Sequence, residues 1–342
     1  MRGMCTTARS VMTLSKHGSA PIVSTTLHIN DVVGAWRMRW GIGRMTYTVQ
    51  PGLYAVGKPD HASCVLVSAN YKLTFDALRS ELAGLNCRLL ILNTRGINVW
   101  CAAGKGTFGT DELVARIAGT GLADKVTHRT LVLPQLGAPG VCAHEVTRRT
   151  GFSVVYGPVR ARDIKAFLSS GLRATEEMRR VNFTVWDRLA LVPMELVPAV
   201  KVSAIVFGAA FLANLFAARS FGVLDAIIYA GAVVTGTVVA PALLPLVPGR
   251  AFAWKGWLLG LVWTAGLTWL NGWFVPEFVV RAIGYLLVLP SLSAFLAMNF
   301  TGSSTYTSFS GVIREMKIAV PLIALSSVVG ILLILINGFS SR

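Results

Sequence analysis

Hydrophobic positions are distributed very differently in the two halves of the chain. Up to about residue 195, short apolar runs alternate with charged and mixed stretches, whereas long apolar runs with few charges follow from Val197 onward. An apolar run of about 20 residues has the length that an α-helix needs to cross a bilayer. The pattern predicts a transmembrane domain over residues 197–342, with five helices at residues 197–217, 222–247, 255–273, 277–299 and 318–337.

The first half alternates between two other periodicities. Apolar, β-rich runs predict strands at residues 63–67, 88–92, 130–134 and 153–156. Helical patterns follow these strands, at residues 74–84, 109–119, 140–149 and 161–171. This alternation predicts a Rossmann-like α/β domain with a parallel, doubly wound sheet over residues 45–190. Residues 1–44 are expected to form an N-terminal tail that is partly disordered.

Composition and charge favour a membrane setting. The chain is 54% hydrophobic with a formal net charge of +16, and its mean hydropathy is +0.60. A basic chain suits nucleic acid, an anionic membrane face or an acidic protein, but predicted membrane spans make nucleic acid the least favoured, and we expect no nucleic-acid partner. The first 30 residues lack the apolar core of a signal peptide.

Basic connections between the predicted spans indicate the orientation. The connections around Arg250 and Arg314 are expected on the same side as the basic N-terminal domain, which the positive-inside rule places in the cytoplasm. We therefore expect a multi-pass protein of the cytoplasmic (inner) membrane, with the soluble domain and the N-terminus in the cytoplasm. Five spans would put the two termini on opposite sides.

Five cysteines are the first candidates for chemistry, namely Cys5, Cys64, Cys87, Cys101 and Cys142. None has the CxxC type of spacing that a zinc site or an iron–sulfur cluster requires. We therefore expect reduced thiols and no iron–sulfur cluster in this chain.

Cys101 lies in an unusual turn. Ligands of doubly wound sheets bind beyond the carboxyl ends of the strands, where the chain has turns at residues 68–74, 93–109, 134–140 and 156–160. In the second turn a hydrophobic segment lies between glycines. If Asn98 is an N-cap, its side chain accepts a hydrogen bond from the amide of Cys101, and Gly104 and Gly106 end a short helix. The helix amino end and Lys105 would then favour a thiolate, the form that binds metals, although a lone cysteine is more often a small buried hydrophobe.

Residues 98–105, Asn-Val-Trp-Cys-Ala-Ala-Gly-Lys, resemble the cap-helix signature of the mercury-methylating corrinoid proteins, the HgcA family. That family is related to the large subunit of the corrinoid iron–sulfur protein of acetyl-CoA synthesis. Four further segments are similar to it, YKLTFDALR (71–79), LPQLGAPGVCAHEV (133–146), RTGFSVVYGPVRARDI (149–164) and NFTGSSTYTS (299–308). The resemblance runs from about residue 45 to the end.

The resemblance implies a base-off cobamide over the carboxyl edge of the sheet, with Cys101 as catalytic residue and as ligand of the cobalt. Asn98 and Trp100 would hold the cap helix. The implied activity is transfer of a methyl group from cobalt to Hg(II), which forms methylmercury in an anaerobic setting. Cobalt would take the methyl group from a methyltetrahydrofolate-linked donor and be re-reduced by an HgcB-like ferredoxin with 4Fe–4S clusters. Whether the methyl group leaves as a carbanion or a radical stays open, as does homodimer formation.

The residues that the resemblance implies as cofactor-binding lie in the four turns: Asn70, Leu73, Thr74, Gly96, Asn98, Val99, Trp100, Ala102, Ala103, Gly104, Lys105, Gly106, Thr107, Phe108, Gln135, Leu136, Gly137, Ala138, Tyr156, Gly157 and Pro158. Cys64, Cys87 and Cys142 are expected to pack in or beside the core rather than to relay mercury. Two alternatives stay open. One is a membrane-anchored corrinoid methyl carrier with a non-mercury acceptor, and the other is a membrane transporter or receptor whose α/β domain senses a ligand.

Overall fold

The computed structural model describes residues 12–13, 20–216, 221–303, 306 and 309–340. Cys5 and residues 304, 305, 307 and 308 of the hydroxyl-rich loop lie outside the described residues. The chain divides into two compact units. The first ends at Val181 and the second begins at Asn182, except that residues 39–41 group with the second.

The first unit contains a mixed sheet, whose strands in the described residues are β1 Met12–Thr13, β2 Ile22–Val23, β3 Gly52–Val56, β4 Val65–Ala69, β5 Cys87–Leu92, β6 Thr130–Leu133 and β7 Ser153–Tyr156. Their spatial order is β1-β2-β3-β5-β4-β6-β7. The four predicted strands are confirmed as the parallel set β5-β4-β6-β7.

The prediction of a purely parallel sheet is wrong, because β3 pairs with β5 in the antiparallel direction. The connection from β3 to β4, residues 57–64, contains no helix. A parallel arrangement would need a crossover of about a dozen or more residues, so this short connection reverses the chain instead. The apolar side chains of β3 thereby cover the free edge of β5.

The helices of the first unit lie on both faces of the sheet. They are α1 Ile29–Arg39, α2 Lys72–Ser80, α3 Val99–Gly104, α4 Thr110–Gly119, α5 Leu122–Lys125, α6 Ala143–Thr150, α7 Ile164–Ser169 and α8 Glu176–Arg179. Two separate cores result: α2 and α7 bury Phe75 and Phe167 on one face, while α4 and α6 bury Leu113 and Val146 on the other. Strand β5 serves both cores through alternate residues. This is the doubly wound arrangement that the sequence predicted.

A buried ionic cluster joins α1 to α2. Asp31 accepts hydrogen bonds from Lys72 Nζ at 2.6 Å and from Arg79 Nη2 at 2.8 Å. Asp76 accepts from the same two side chains, at 2.5 Å and 2.7 Å. All four residues are at most 4% exposed, and two cations balance two anions. The sequence predicted no element at residues 29–39, yet this helix supplies one of the four charges.

The ionic cluster also sets the protonation of Asp31. Burial by itself would raise the pKa of this carboxyl group. The hydrogen bonds from Lys72 and from the His28 amide, together with the charges of Lys72 and Arg79, outweigh burial and hold the pKa of Asp31 below its usual value. Asp31 is therefore a carboxylate at neutral pH.

The second unit is helical over its described residues. Its helices are α9 Val185–Leu189, α10 Val192–Phe216, α11 Val223–Val234, α12 Ala240–Leu243, α13 Phe252–Leu270, α14 Val279–Asn299 and α15 Phe309–Ser340. A π-helical segment, Thr235–Val239, connects α11 to α12. Four helices in the described part of the chain are long and apolar enough to cross a membrane, at Val185–Leu215, Val223–Leu243, Val279–Gly302 and Ser310–Asn337. They indicate a membrane protein.

Four of the five predicted spans are confirmed by this criterion, and the one at residues 255–273 is not among them. The predicted span at residues 255–273 does form a helix, α13, with 19 residues. Its hydropathy is lowered by Lys255 and by four tryptophans, at positions 254, 257, 263 and 269. Length alone would suffice, since 19 residues extend about 28 Å.

Helix α13 packs between α11 and α14. Trp263 Nε1 donates a hydrogen bond to the carbonyl of Ile228 on α11 at 3.0 Å. On the α14 side the backbones approach so closely that a Cβ atom at Gly256 would lie 2.5 Å from Ala297 Cβ, and one at Gly260 would lie 2.9 Å from Pro290 Cα. The start of α13 therefore lies against the end of α14, and the two helices run antiparallel.

Two charges of this unit, Asp225 and Arg281, are paired with each other. Asp225 Oδ1 accepts hydrogen bonds from Arg281 Nη2 at 2.6 Å and from the Tyr285 hydroxyl at 2.7 Å. Arg281 also lies over the Trp273 ring, 5.2 Å from its centroid. Asp225 is only 9% exposed, and an unpaired carboxylate inside an apolar helix bundle is costly. The pair joins the first turns of α11 and α14.

Candidate functional site

The strand order places a ligand crevice between β4 and β6. Counted along the chain, the four parallel strands have the order 2-1-3-4, so the helices that follow β4 and β6 cover opposite faces of the sheet. Ligands of such sheets bind at this switch point, outside the carboxyl ends of the strands. The turns after β4 and β6 contain Asn70 and the segment 135–138, as the sequence analysis expected.

Cys101 lies on a short helix beside this crevice. Asn98 Oδ1 accepts a hydrogen bond from the Cys101 amide at 2.9 Å, so the predicted N-cap is confirmed. Helix α3 ends at Gly104 with Lys105 as its C-cap. Gly106 follows in the left-handed region with φ of 77°, which turns the chain away from the helix axis.

Helix α3 has a packed face and an open face. Val99, Ala102 and Ala103 are buried in the core above the sheet, whereas Trp100 is 39% exposed. Cys101 lies between the two faces, partly exposed and not in a disulfide. Its thiol is thus held on an anchored helix without being sealed into the core.

Asn70 fixes the approach to this helix. Its Oδ1 atom accepts hydrogen bonds from Thr94 N at 3.0 Å, from Thr94 Oγ1 at 2.9 Å and from Gly96 N at 3.1 Å. Asn70 is 5% exposed and Thr94 is fully buried. Asn70 therefore acts on the loop that leads to α3. Thr94 was not among the predicted site residues, although a polar residue two positions after a buried strand is a usable signal.

The turn after β6 supports α3 from below. Residues Gln135–Gly140 form a 3₁₀ helix. A Cβ atom at Gly140 would lie 2.1 Å from the Phe108 carbonyl oxygen and 3.0 Å from Ala103 Cα, so only glycine allows this approach. Phe108 is fully buried, and a Cβ atom at Gly137 would lie 2.5 Å from its ring. Phe108 and Gly137 thus serve packing.

The other predicted site residues lie in three settings. Leu73, Thr74, Thr107, Leu136, Ala138 and Tyr156 are partly buried, Gly96, Gly157 and Pro158 are buried, and Gly104, Lys105 and Gly106 are exposed. The Tyr156 hydroxyl donates to the Val141 carbonyl at 2.7 Å. Burial, with a smaller contribution from Cys142, raises the pKa of Tyr156.

Gln135 offers an unused acceptor at the crevice. Its Oε1 atom is buried and has no hydrogen-bond partner among the described residues. A buried acceptor without a donor is unfavourable by about 1–3 kcal/mol. A ligand with an N–H group would satisfy it.

Metal-ligating side chains do not cluster around Cys101 in the part of the chain that the structure describes. That part contains no group of three or more His, Cys, Asp or Glu side chains that could hold a metal ion. The backbone that follows Cys101 is open at two positions, because no atom lies within 4 Å of where Cβ atoms at Gly104 and Gly106 would be.

The chain combines a doubly wound α/β unit with long apolar helices that follow it in the sequence. Residues 5–168 match the family model CdhD, described as CO dehydrogenase/acetyl-CoA synthase delta subunit. The predicted relationship to a corrinoid protein family is thereby confirmed for the first half of the chain.

Individual relatives are similar over a little more than a third of the chain. The acetyl-CoA decarbonylase/synthase complex subunit gamma of Methanopyrus kandleri is 36% identical over 132 residues, which is 38% of this chain and 28% of the relative. The subunits of the same name from Archaeoglobus fulgidus and Methanocaldococcus jannaschii are 35% and 32% identical over 127 residues, 36% of this chain and 27% and 26% of the relatives. The chain thus spans little more than a quarter of the length of these curated relatives.

Proposed function

We propose that this chain is a membrane-bound corrinoid methyltransferase, in which Cys101 ligates the cobalt of a cobamide and Hg(II) accepts the methyl group. The observation that carries the proposal is the single, partly exposed Cys101 thiol on a capped helix beside the switch point. The relationship to corrinoid proteins supports the cofactor, and the cap-helix signature supports the acceptor.

The residues around Cys101 would hold the corrin in distinct ways. The exposed backbone at Gly104, Lys105 and Gly106 would lie against the ring, where larger side chains would intrude. Gln135 Oε1 would accept a hydrogen bond from an amide group on the ring's periphery. Asn98 and Asn70 would act without contacting the ring, because they fix α3 and the loop before it.

When bound, the corrin supplies a metal centre that can take up and release a methyl group. The chain contributes the thiolate of Cys101, a soft donor that increases electron density at the metal. The packing of Val99, Ala102 and Ala103 in the core would hold α3, and with it the Cys101 sulfur, in a fixed orientation.

Three further components complete the proposed reaction. They are a methyltetrahydrofolate-linked methyl donor, an HgcB-like ferredoxin with 4Fe–4S clusters as reductant, and Hg(II) as substrate. The formal net charge of +16 favours an acidic ferredoxin as the electron donor.

A corrinoid methyl carrier with a different acceptor is the second candidate. The observation that favours it is that the relatives named above belong to acetyl-CoA decarbonylase/synthase complexes. Methyl transfer from the loaded protein should be measured with Hg(II) and with other thiophilic acceptors in parallel. Transfer to another acceptor but not to Hg(II) would favour the second candidate.

The proposal includes five membrane crossings, with α13 as the additional one. Support comes from the Asp225–Arg281 pair, which joins the starts of α11 and α14. Two helices that start on the same side of a membrane need a return crossing between them, and α13 runs antiparallel in that position. Reporter fusions at the two termini should fall on opposite sides. Reporters on one side would contradict the fifth crossing.

The cofactor proposal is tested by visible spectroscopy. The full chain is purified in detergent, reconstituted with methylcobalamin and compared with Cys101→Ala and with Cys142→Ala, a control that removes an exposed thiol from the same domain. We expect a base-off, thiolate-ligated spectrum that Cys101→Ala abolishes and Cys142→Ala preserves. Protein that binds no corrin would overturn the proposal and favour a sensor or transporter.

A further inference from the structure

We propose that Cys64 and Cys87 form a second thiol site, a two-sulfur clamp for a thiophilic cation such as Hg(II), at the amino edge of the sheet. This inference stands apart from the proposed function, because it concerns a different edge of the sheet and needs neither a corrin nor methyl transfer. It also departs from the expectation that both thiols serve only for packing.

Strand register places the two cysteines side by side. Strands β4 and β5 are parallel, with Val65 opposite Arg88, and the Arg88 amide donates a hydrogen bond to the Cys64 carbonyl at 2.9 Å. The residues one step earlier, Cys64 and Cys87, are therefore direct neighbours. Paired residues in a sheet point to the same face, and both cysteines contribute to the core beneath α2 and α7.

The spacing suits a two-coordinate ion. Neighbouring strands lie about 4.8 Å apart, which is about twice a metal–thiolate bond of ~2.3 Å. One ion between the two sulfurs could therefore bond to both without separating the strands. Soft thiolate ligands select soft cations over hard ones.

The environment permits entry from one side. Cys87 is fully buried, with Val56 as its neighbour on β3, whereas Cys64 is partly exposed. A cation can thus reach Cys64 first and then bond to Cys87. Apolar neighbours such as Leu78 and Leu85 would exclude water from the bound ion.

Binding of an ion at the two thiols needs no redox partner. Binding of Hg(II) would form two S–Hg bonds and release two protons without any change of oxidation state.

The clamp is remote from Cys101. Strand β5 runs from Cys87 to Leu92, and its six residues separate the two edges by about 17 Å or more. An ion in the clamp cannot contact a metal bound to Cys101. The clamp therefore binds bare ions, and its occupation should leave the corrin spectrum unchanged.

The test uses the full chain in detergent, reduced, with Cys5, Cys101 and Cys142 replaced by serine so that Cys64 and Cys87 are the remaining thiols. Hg(II) is added in the presence of excess glutathione. We expect one Hg(II) per chain, with two sulfur neighbours by X-ray absorption. A second thiolate on the same scaffold should improve retention about 10²–10⁴-fold over a single one.

The decisive comparison is a variant with the same number of thiols in unpaired positions. Restoring Cys142 and introducing Cys64→Ser leaves Cys87 and Cys142, and circular dichroism verifies that this chain is folded. Loss of glutathione-resistant Hg(II) is expected in this variant. Equal retention, two ions per chain or no retention by the Cys64/Cys87 chain would each overturn the clamp. Because Cys101 is absent, none of these outcomes depends on the corrin site.

Discussion

The two edges of one sheet present thiols in opposite ways. At the carboxyl edge Cys101 is alone on a capped helix, while at the amino edge Cys64 and Cys87 are neighbours in the ladder. A lone thiolate cannot complete the coordination of a bare ion, so it suits a metal that arrives within a macrocycle. Two adjacent thiolates can hold a bare soft ion. On the two proposals, the number and spacing of ligands, more than the residue type, would decide which metal species each edge accepts.

Cys101→Ala is the variant that we expect to have the largest effect on the carboxyl edge while it leaves the amino edge unchanged. We expect methyl transfer to Hg(II) to fall more than ~100-fold, because even residues outside the ligand shell typically cost 10–100-fold when replaced. Glutathione-resistant Hg(II) binding should persist, since it depends on the other edge. Methylmercury formation is measured beside Cys142→Ala, and activity within tenfold of the unaltered chain would separate Cys101 from the reaction.

The second variant, Asp31→Ala, should lower the stability of the whole α/β unit and therefore affect both edges of the sheet. It leaves Lys72 and Arg79 buried with one carboxylate between them, and breaking a buried ion pair costs about 3–5 kcal/mol. Chemical unfolding followed by circular dichroism measures the loss. Asp111→Asn is the control, because Asp111 is 92% exposed in its pair with Arg149 and should matter by less than about 1 kcal/mol.

The lowered pKa of the Asp31 carboxyl group predicts that acid reduces the stability of the fold. The pKa of Asp31 is lower in the folded chain than its ordinary value of 3.8. Its contribution to stability is therefore complete above that value and is lost as the pH falls through the lower, folded pKa. The stability difference between the unaltered chain and Asp31→Ala should shrink below about pH 4. A constant difference down to pH 2 would contradict this assignment.

Asn70→Ala should affect the carboxyl edge selectively. Loss of the carboxamide leaves the Gly96 amide without its acceptor, which costs about 1–3 kcal/mol and should weaken corrin binding about 10–100-fold. Asn70→Asp retains an acceptor oxygen and should recover most of the affinity. Asn93→Ala, in the exposed part of the same loop, serves as the control. Corrin affinity follows from spectral titration.

The smallest expected effect belongs to Gly104→Ala. A Cβ atom there meets no protein atom within 4 Å, so the fold should not lose stability. If the corrin lies over this residue, the added methyl group should weaken its binding by about 1 kcal/mol, roughly fivefold. Gly119→Ala is a matched control, since Gly119 also ends a helix beside open space. Equal corrin affinity in both variants would place the ring elsewhere.

Local signals in the sequence were sufficient for much of this architecture. The parallel strands were visible as short apolar runs, and the cap on α3 was readable from Asn98 and its spacing to Cys101, because an N-cap involves only residues three apart. The hydrophobic runs likewise indicated the membrane helices. These features depend on neighbours along the chain.

Features that depend on distant partners were not readable. The antiparallel pairing of β3 with β5 joins strands that are more than 30 residues apart in the chain. Asp31 likewise contacts residues that are 41 and 48 positions away. Cys64 and Cys87 looked like separate packing residues because their adjacency arises only from the register of β4 and β5. Sequence spacing has no simple relation to these contacts.

The packing of α13 has a consequence for how the protein is made. A segment with four tryptophans and a lysine gains little by moving into lipid alone. Its close approach to α14 at Gly256 and Gly260 offers the compensation that small residues provide between membrane helices. Because α14 follows α13 in the chain, we expect α13 to insert stably only after the ribosome has synthesised α14. Biogenesis of this segment should therefore proceed in pairs rather than one span at a time.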